Sequence, residues 1–235
     1  MLYIRCSNLL GVTRQIRDGA ILLDGSKILA VDSASSLPAP QGAKTIDARG
    51  LTAAPGFIDW QLNGGFGMDF TENPESIWEV AEKLIDHGVT AFLPTIVTAP
   101  LEVYATAQET LRAGPPAGFR GTQPLGLHLE GPYLNPGKKG AHNPLYLRAP
   151  STDETRQWSR KNGVWVVTLA PELPGALGLV RALRQKGVVV SAGHSLATYE
   201  QALEAFSTGI SCVTHLFNAM PALDHRSPGL IAASL

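Results

Sequence analysis

A chain of 235 residues, 44% hydrophobic and 17% charged, is long enough to bury a sizeable core and too apolar to stay disordered. Its formal net charge of -1, with Lys and Arg spread along the chain, leaves no electrostatic footprint for nucleic acid or an anionic membrane surface. Only Cys6 and Cys212 are present, which excludes a disulfide framework or a Cys-based zinc pattern and fits a reducing, cytoplasmic setting. The opening residues lack the apolar stretch of a signal peptide, no window is long and apolar enough for a membrane span, and there is no Asn-x-Ser/Thr sequon.

In chain order, residues 1–50 read as a small, partial β-sandwich-like domain. Its strands are the runs LYIRC, GAILLD, KILAVD and KTIDA, and the Asp24-Gly25 pair between apolar runs predicts a hairpin. The stretch 33–41 is a loop, because Pro38 and Pro40 cannot donate to a ladder. Over residues 51–235 apolar runs alternate with helical patterns, the signature of βα units around a parallel sheet. Six strands are expected, at AAPGFID, VTAFLPTIV, PLGLHLE, VWVVTLA, GVVVSAGH and ISCVTHL. Between them, PESIWEVAEKLIDHG and LATYEQALEAFSTG are helices that begin near Pro74 and Thr198 and stop at Gly88 and Gly209, with Trp78, Leu84 and Ile85 facing the core. A closed (β/α)₈ barrel takes about 250 residues and each βα unit roughly 30, so the expected fold class is α/β, a TIM barrel with about six of its eight units present. SPGLIAASL reads as a helix just beginning, so the chain is expected to stop short of the whole.

In parallel α/β architectures functional groups gather where strands end. Four such places carry polar residues: Asp59–Asn63 after the first barrel strand, His128–Glu130 after the third, His194 after the fifth and His215 after the sixth. If those strands are neighbours, Glu130, His194 and His215 form a Glu/His/His set of the kind that holds a catalytic divalent ion with a position left open. Such an ion lowers the pKa of a bound water and polarises a carbonyl, the chemistry of amide hydrolysis. Taken singly, a strand-end histidine is more often a hydrogen-bonded structural residue and a glutamate more often solvated or salt-bridged, so the residues alone leave both readings open. Gly64, Gly65 and Gly67 do not fit GxGxxG and read as a sharp turn beside a pocket, not a dinucleotide site.

Together, PGFIDWQLNGG, GLHLEGPYLNPGKKGAHNP, VTLAPE, SAGHS and THLFNAMPALDHRSPGL resemble the N-acetylglucosamine-6-phosphate deacetylases of the amidohydrolase superfamily, from about Gly50 to the last residue and in the expected order. The resemblance implies an amidohydrolase TIM barrel with a small N-terminal β domain, and a reaction that releases acetate from a phosphorylated amino sugar. It implies Glu130, His194 and His215 as ligands of one divalent ion, with zinc, ferrous iron or cobalt all compatible. Most amidohydrolases carry His-x-His where this chain has Gln61-Leu62-Asn63. That variant is familiar among the deacetylases and implies one metal rather than two, with Gln61 and Asn63 beside the site.

By the same resemblance His142 touches the acetyl carbonyl and steadies the oxyanion, with Ala141 against the same ligand. Asn218 and Ala219 hold sugar hydroxyls or phosphate oxygens, and Arg226 grips the phosphate bound in a neighbouring subunit, which implies a homodimer. The family's catalytic aspartate, a further phosphate-contacting histidine and the last strands of the small domain have no counterpart up to Leu235. The isolated chain is therefore expected to be inactive or nearly so, since general acid–base help contributes about 10²- to 10⁴-fold. Two rival readings stand beside this one: another amidohydrolase, such as a cyclic amidase or a deaminase, and a non-catalytic binding module.

Overall fold

The computed structural model describes residues 1–235, and these form two compact units, Met1–Gly56 and Phe57–Leu235. The first holds four strands, β1 (Leu2–Leu10), β2 (Gln15–Asp24), β3 (Lys27–Ser33) and β4 (Lys44–Ala53), in the order β3-β2-β1-β4. The β2–β3 hairpin closes with Asp24 opposite Lys27 across Gly25, whose φ of 56° is the left-handed conformation that makes Asp-Gly a turn signal. β1 pairs antiparallel with β2 and parallel with β4. The unit is thus a single mixed sheet, one layer of the expected sandwich. Its boundary falls at Gly56 instead of position 50 because β4 runs on to Ala53.

The second unit is built on six parallel strands: β5 (Phe57–Leu62), β6 (Val89–Val97), β7 (Leu127–Glu130), β8 (Val164–Leu169), β9 (Val189–Ala192) and β10 (Cys212–Val213). They lie side by side in chain order, and the short strand Gln123–Pro124 is added against β6. Helices α1 (Ile77–Leu84), α2 (Leu101–Ala113), α3 (Ala176–Gln185), α4 (Tyr199–Thr208) and α5 (Gly229–Ser234) fall between or after them. This curled half-barrel sheet fits an incomplete (β/α)₈ barrel. The runs are nearly all apolar because a strand covered on both faces buries every residue, as in β8, where only Trp165 is not fully buried.

Helix patterning follows the same economy. α1 buries Ile77, Val80, Ala81 and Leu84, and α3 buries Ala176, Leu179, Val180 and Leu183, each at i, i+3, i+4, i+7 spacing. α4 opens on a reciprocal capping box between Thr198 and Gln201. The expected core stripe of the first helix needs one correction. Ile85 is 51% exposed, because the chain tightens there into the 3₁₀ turn Ile85–His87 and leaves the 3.6-residue period before Gly88 ends it. Trp78 is only half-buried; it donates from Nε1 to the Thr110 carbonyl at 3.1 Å and lies edge-on to Phe119, so Leu84 alone of the three is core. Gly64 and Gly65 pair antiparallel with Met68 and Asp69 in a tight reversal after β5.

Candidate metal centre

Because the strands are parallel neighbours, their C-terminal ends form one rim. Glu130 closes β7, while His194 and His215 each lie two residues past β9 and β10. Both histidines turn off their strands in left-handed backbone, with φ of 49° and 56°, and Phe217 and Ala219 repeat the conformation at 74° and 53°. Such non-glycine residues cost about 1–3 kcal/mol each and persist only where the surroundings over-determine them. Gly193 makes the approach possible: a Cβ there would stand 2.9 Å from Thr168 Cγ2 and 2.9 Å from Thr214 Cβ, so any side chain would push β9 out of line just before His194.

The three side chains converge. His215 Nε2 lies 2.8 Å and His194 Nε2 3.0 Å from Glu130 Oε1, and His142 Nε2 approaches the same oxygen at 3.9 Å. Gln61 Nε2 donates to the other carboxylate oxygen, Oε2, at 2.8 Å. Burial alone would push the Glu130 carboxyl up, but the imidazoles of His142, His194 and His215 outweigh it and hold the group well below the usual carboxylate range. His215 is raised, chiefly by its bond to Glu130 and against its own partial burial.

The outer hydrogen bonds orient the rings, and for His194 they fix the tautomer. His194 Nδ1 lies 2.8 Å from the Lys138 carbonyl, which can only accept, so the Nδ1 proton is committed there. A neutral His194 then turns its Nε2 lone pair toward a carboxylate oxygen, an arrangement that requires a proton or a cation between them. For His142, Thr98 holds Nδ1 from two sides, with the backbone N–H at 3.3 Å and Oγ1 at 2.8 Å, so Nε2 is turned toward the carboxylate. One carboxylate and two imidazole donor atoms, all within 4.8 Å of one another, make a set suited to one borderline divalent ion.

Other expected residues fall nearby or outside. Gln61 serves as a donor to Glu130. Asn63 is half-buried beyond β5, and its backbone carbonyl accepts from Phe70 at 2.9 Å. Ala141 is exposed beside buried His142. Asn218 is exposed and accepts the Ala219 N–H at 2.9 Å through Oδ1, and the Ala219 carbonyl accepts from Ser195 N at 3.2 Å, tying the turn after β10 to the one after β9. Arg226 stands in an exposed loop, with its backbone N–H on Asp224 Oδ1.

Thr98 and Lys138 carry no expectation from the sequence, and His128, named with the end of the third barrel strand, carries no assigned role there. Thr98 follows β6, a strand end that the same rule of polar closing residues covers. Lys138 acts through its carbonyl, for which no side-chain signal exists. His128 is fully buried one layer below Glu130, with Nε2 2.7 Å from Thr168 Oγ1, which continues through Thr214 to Ser191 at 2.8 and 2.7 Å. Burial pushes the His128 imidazole down to about 4, so it is neutral at pH 7.

A half-barrel of parallel strands with a Glu/His/His cluster on its C-terminal rim is the arrangement of metal-dependent hydrolases, and the amidohydrolase family matches residues 52–234: the chain belongs to that family. Within it, the chain is similar to N-acetylglucosamine-6-phosphate deacetylases. The Bos taurus enzyme is 40% identical over 233 residues, which cover 93% of this chain and 56% of that one. The crystal structure of the Pasteurella multocida enzyme superposes with a TM-score of 0.87 at 34% identity, covering 98% of this chain and 61% of that one. A Mycobacterium smegmatis variant in complex with N-acetyl-D-glucosamine-6-phosphate gives 0.85 at 33% identity, covering 99% and 60%. This chain spans about half the length of the curated relatives it matches. No helix is long and apolar enough to cross a membrane.

Proposed function

We propose that this chain carries the cation-binding part of a cytoplasmic deacetylase that hydrolyses N-acetylglucosamine 6-phosphate to acetate and glucosamine 6-phosphate. The observation that carries the reading is the convergence of Glu130, His194 and His215, with His142 Nε2 3.9 Å from the same carboxylate oxygen. Glu130 Oε1 and the two Nε2 atoms are the donors for one divalent ion, zinc, ferrous iron or cobalt; when bound, it supplies Lewis-acid activation of water and of the acetyl carbonyl.

The chain's own groups bind the cation and the substrate and steady the oxyanion; the acid–base aspartate that the resemblance implies has no counterpart among them, so the 235-residue chain alone is inactive or nearly so. Gln61 occupies the second carboxylate oxygen with a hydrogen bond at 2.8 Å, so Glu130 offers its other oxygen to the cation. His142, oriented by Thr98, donates from Nε2 to the acetyl oxygen as charge develops there. In the whole enzyme, water adds to the carbonyl carbon and the C–N bond breaks, and the proton that water gives up is passed by that aspartate to the sugar nitrogen, so that acetate and the free amine leave. Ala141 and Asn63 border the acetyl group, Asn218 and Ala219 meet sugar hydroxyls or phosphate oxygens, and Arg226 reaches the phosphate held by a neighbouring subunit in a homodimer.

Calorimetry of the zinc-loaded chain tests the reading, with N-acetylglucosamine 6-phosphate and unphosphorylated N-acetylglucosamine as ligands. One zinc per chain and clear preference for the phosphorylated sugar are expected. A chain that takes up no divalent ion, or that treats the two sugars alike, would overturn it.

A further inference from the structure

Glu172, three residues past the end of β8, belongs to the VTLAPE run and has no part in the chemistry described so far. It nevertheless gathers three neutral donors from two separate turns. Its Oε1 accepts from Asn135 Nδ2 at 2.9 Å and from the Leu196 backbone N–H at 2.6 Å, and its Oε2 accepts from Ser195 Oγ at 2.7 Å. The two turns are also linked directly, because the Asn135 N–H donates to the His194 carbonyl at 2.9 Å. The first turn is completed by Asn135, whose Oδ1 accepts from Gly137 at 2.9 Å and whose carbonyl accepts from Lys138 N at 2.9 Å. It ends in the Lys138 carbonyl that takes the His194 Nδ1 proton. In the second turn, Ser195 Oγ accepts from the Ala197 N–H at 3.0 Å.

These bonds form a closed ring from Glu172 through Asn135 and Lys138 to the His194 imidazole, then through Ser195 and Leu196 back to Glu172. His194 stands in left-handed backbone, a conformation that must be imposed by its surroundings. The Glu172 carboxylate is the only group in the ring bonded to both turns by side chain, and as a pure acceptor it suits three donors at once. We infer that Glu172 is a positioning residue: it locks the 135–138 and 194–197 turns together, and so sets the ring orientation and tautomer of His194 toward the cation. This rests on the metal-centre reading, and the experiment is chosen to separate the two.

The probes are cobalt(II), followed by its visible absorption, and the hydrogen exchange of the His194 Nδ1–H in the metal-free, ¹⁵N-labelled 235-residue chain, assigned by its loss in His194→Ala. In Glu172→Ala we expect cobalt(II) to bind about 10- to 100-fold more weakly, as for loss of an outer partner of a ligand, and the Nδ1–H to exchange freely. Glu172→Gln, which keeps an acceptor for the Asn135 and Leu196 donors, should recover most of both. Cobalt affinity within twofold of wild type in Glu172→Ala, or weak binding with the Nδ1–H still protected, would overturn the inference. If Glu172→Ala does not fold, Asn135→Ala and Ser195→Ala, each removing one strut, must show the same two changes to a lesser degree, and unchanged values there overturn it equally. A wild-type chain that takes up no cobalt would sink the metal centre while leaving the Nδ1–H comparison to judge Glu172.

Discussion

The two sides of the rim are built differently. On the β7–β9 side, the Glu130 and His194 side chains are 3% and 5% exposed, and two imidazoles there are anchored from behind, His194 by Lys138 and His142 by Thr98. On the β10 side, His215 is 37% exposed, follows a strand of two residues, and leads into a run that includes exposed Phe217 and Asn218. On the first side the ligand rings are held from behind by other groups of the chain, whereas on the second the backbone around His215 is tied to β9 but its ring has only the bond to Glu130. The buried side should therefore survive without a cation, whereas the open side should depend on one.

Glu130 is the joint between the sides, so its removal is the largest test. In Glu130→Ala, bound zinc measured by mass spectrometry should fall from one per chain to none, a loss beyond the roughly 10- to 100-fold that an outer partner costs. Retention of stoichiometric zinc would show that the two sides do not share a ligand set.

The next test is the pH dependence of the metal-free chain. His128 is depressed to about 4 from 6.5, so between those values the unfolded chain takes up a proton that the native chain refuses. Stability falls as pH drops through that window, by roughly 3 kcal/mol in all. His215 is raised above 6.5, so its contribution is complete below 6.5 and is lost as pH rises through its folded value. Glu130 is lowered from 4.5, and its contribution fades only as pH falls below that range. Urea denaturation of the metal-free chain should thus show greatest stability near pH 6.5. His128→Gln should flatten the acid limb, and His215→Gln the weaker alkaline limb. An acid limb unchanged in His128→Gln would place the buried side's pH sensitivity elsewhere.

Much of this asymmetry was open to sequence reading, and the rest has physical reasons for being hidden. Val89–Val97 and the helix bounded by Thr198 and Gly209 were legible because an apolar run and a capping box are local signals. The sixth strand is shorter than the run ISCVTHL predicts, Cys212–Val213 alone, since pairing with β9 is limited to two residues and the chain then leaves the sheet toward His215. Glu130, His194 and His215 could be listed as strand-end residues, but their shared oxygen depends on strand order, which only the folded sheet supplies. Thr98 and Glu172 close the second and fourth barrel strands, so strand-end inspection of every strand finds them. The Lys138 carbonyl and the left-handed backbone at His194 and His215 leave no trace in residue type.

The smallest effect is the most direct comparison of the sides. His194→Ala and His215→Ala should both weaken zinc binding, because each removes a donor from the same set. They should differ in the absence of metal. Removing the His194 ring leaves the Lys138 carbonyl without its partner and opens a buried gap beside Glu130, which costs about 1–3 kcal/mol. Removing His215 deletes a side chain that solvent already reaches, so water can take its place beside Glu130 and no buried gap is left. Both substitutions keep a Cβ at a left-handed position, so backbone strain cancels from the comparison. Thermal unfolding of the two metal-free variants at pH 6.5 should therefore place His194→Ala below His215→Ala by several degrees, with added zinc failing to rescue either. If the two melt together, the buried side is no more self-supporting than the open one. If His215→Ala melts first, the turn after β10 carries more of the fold than its exposure implies.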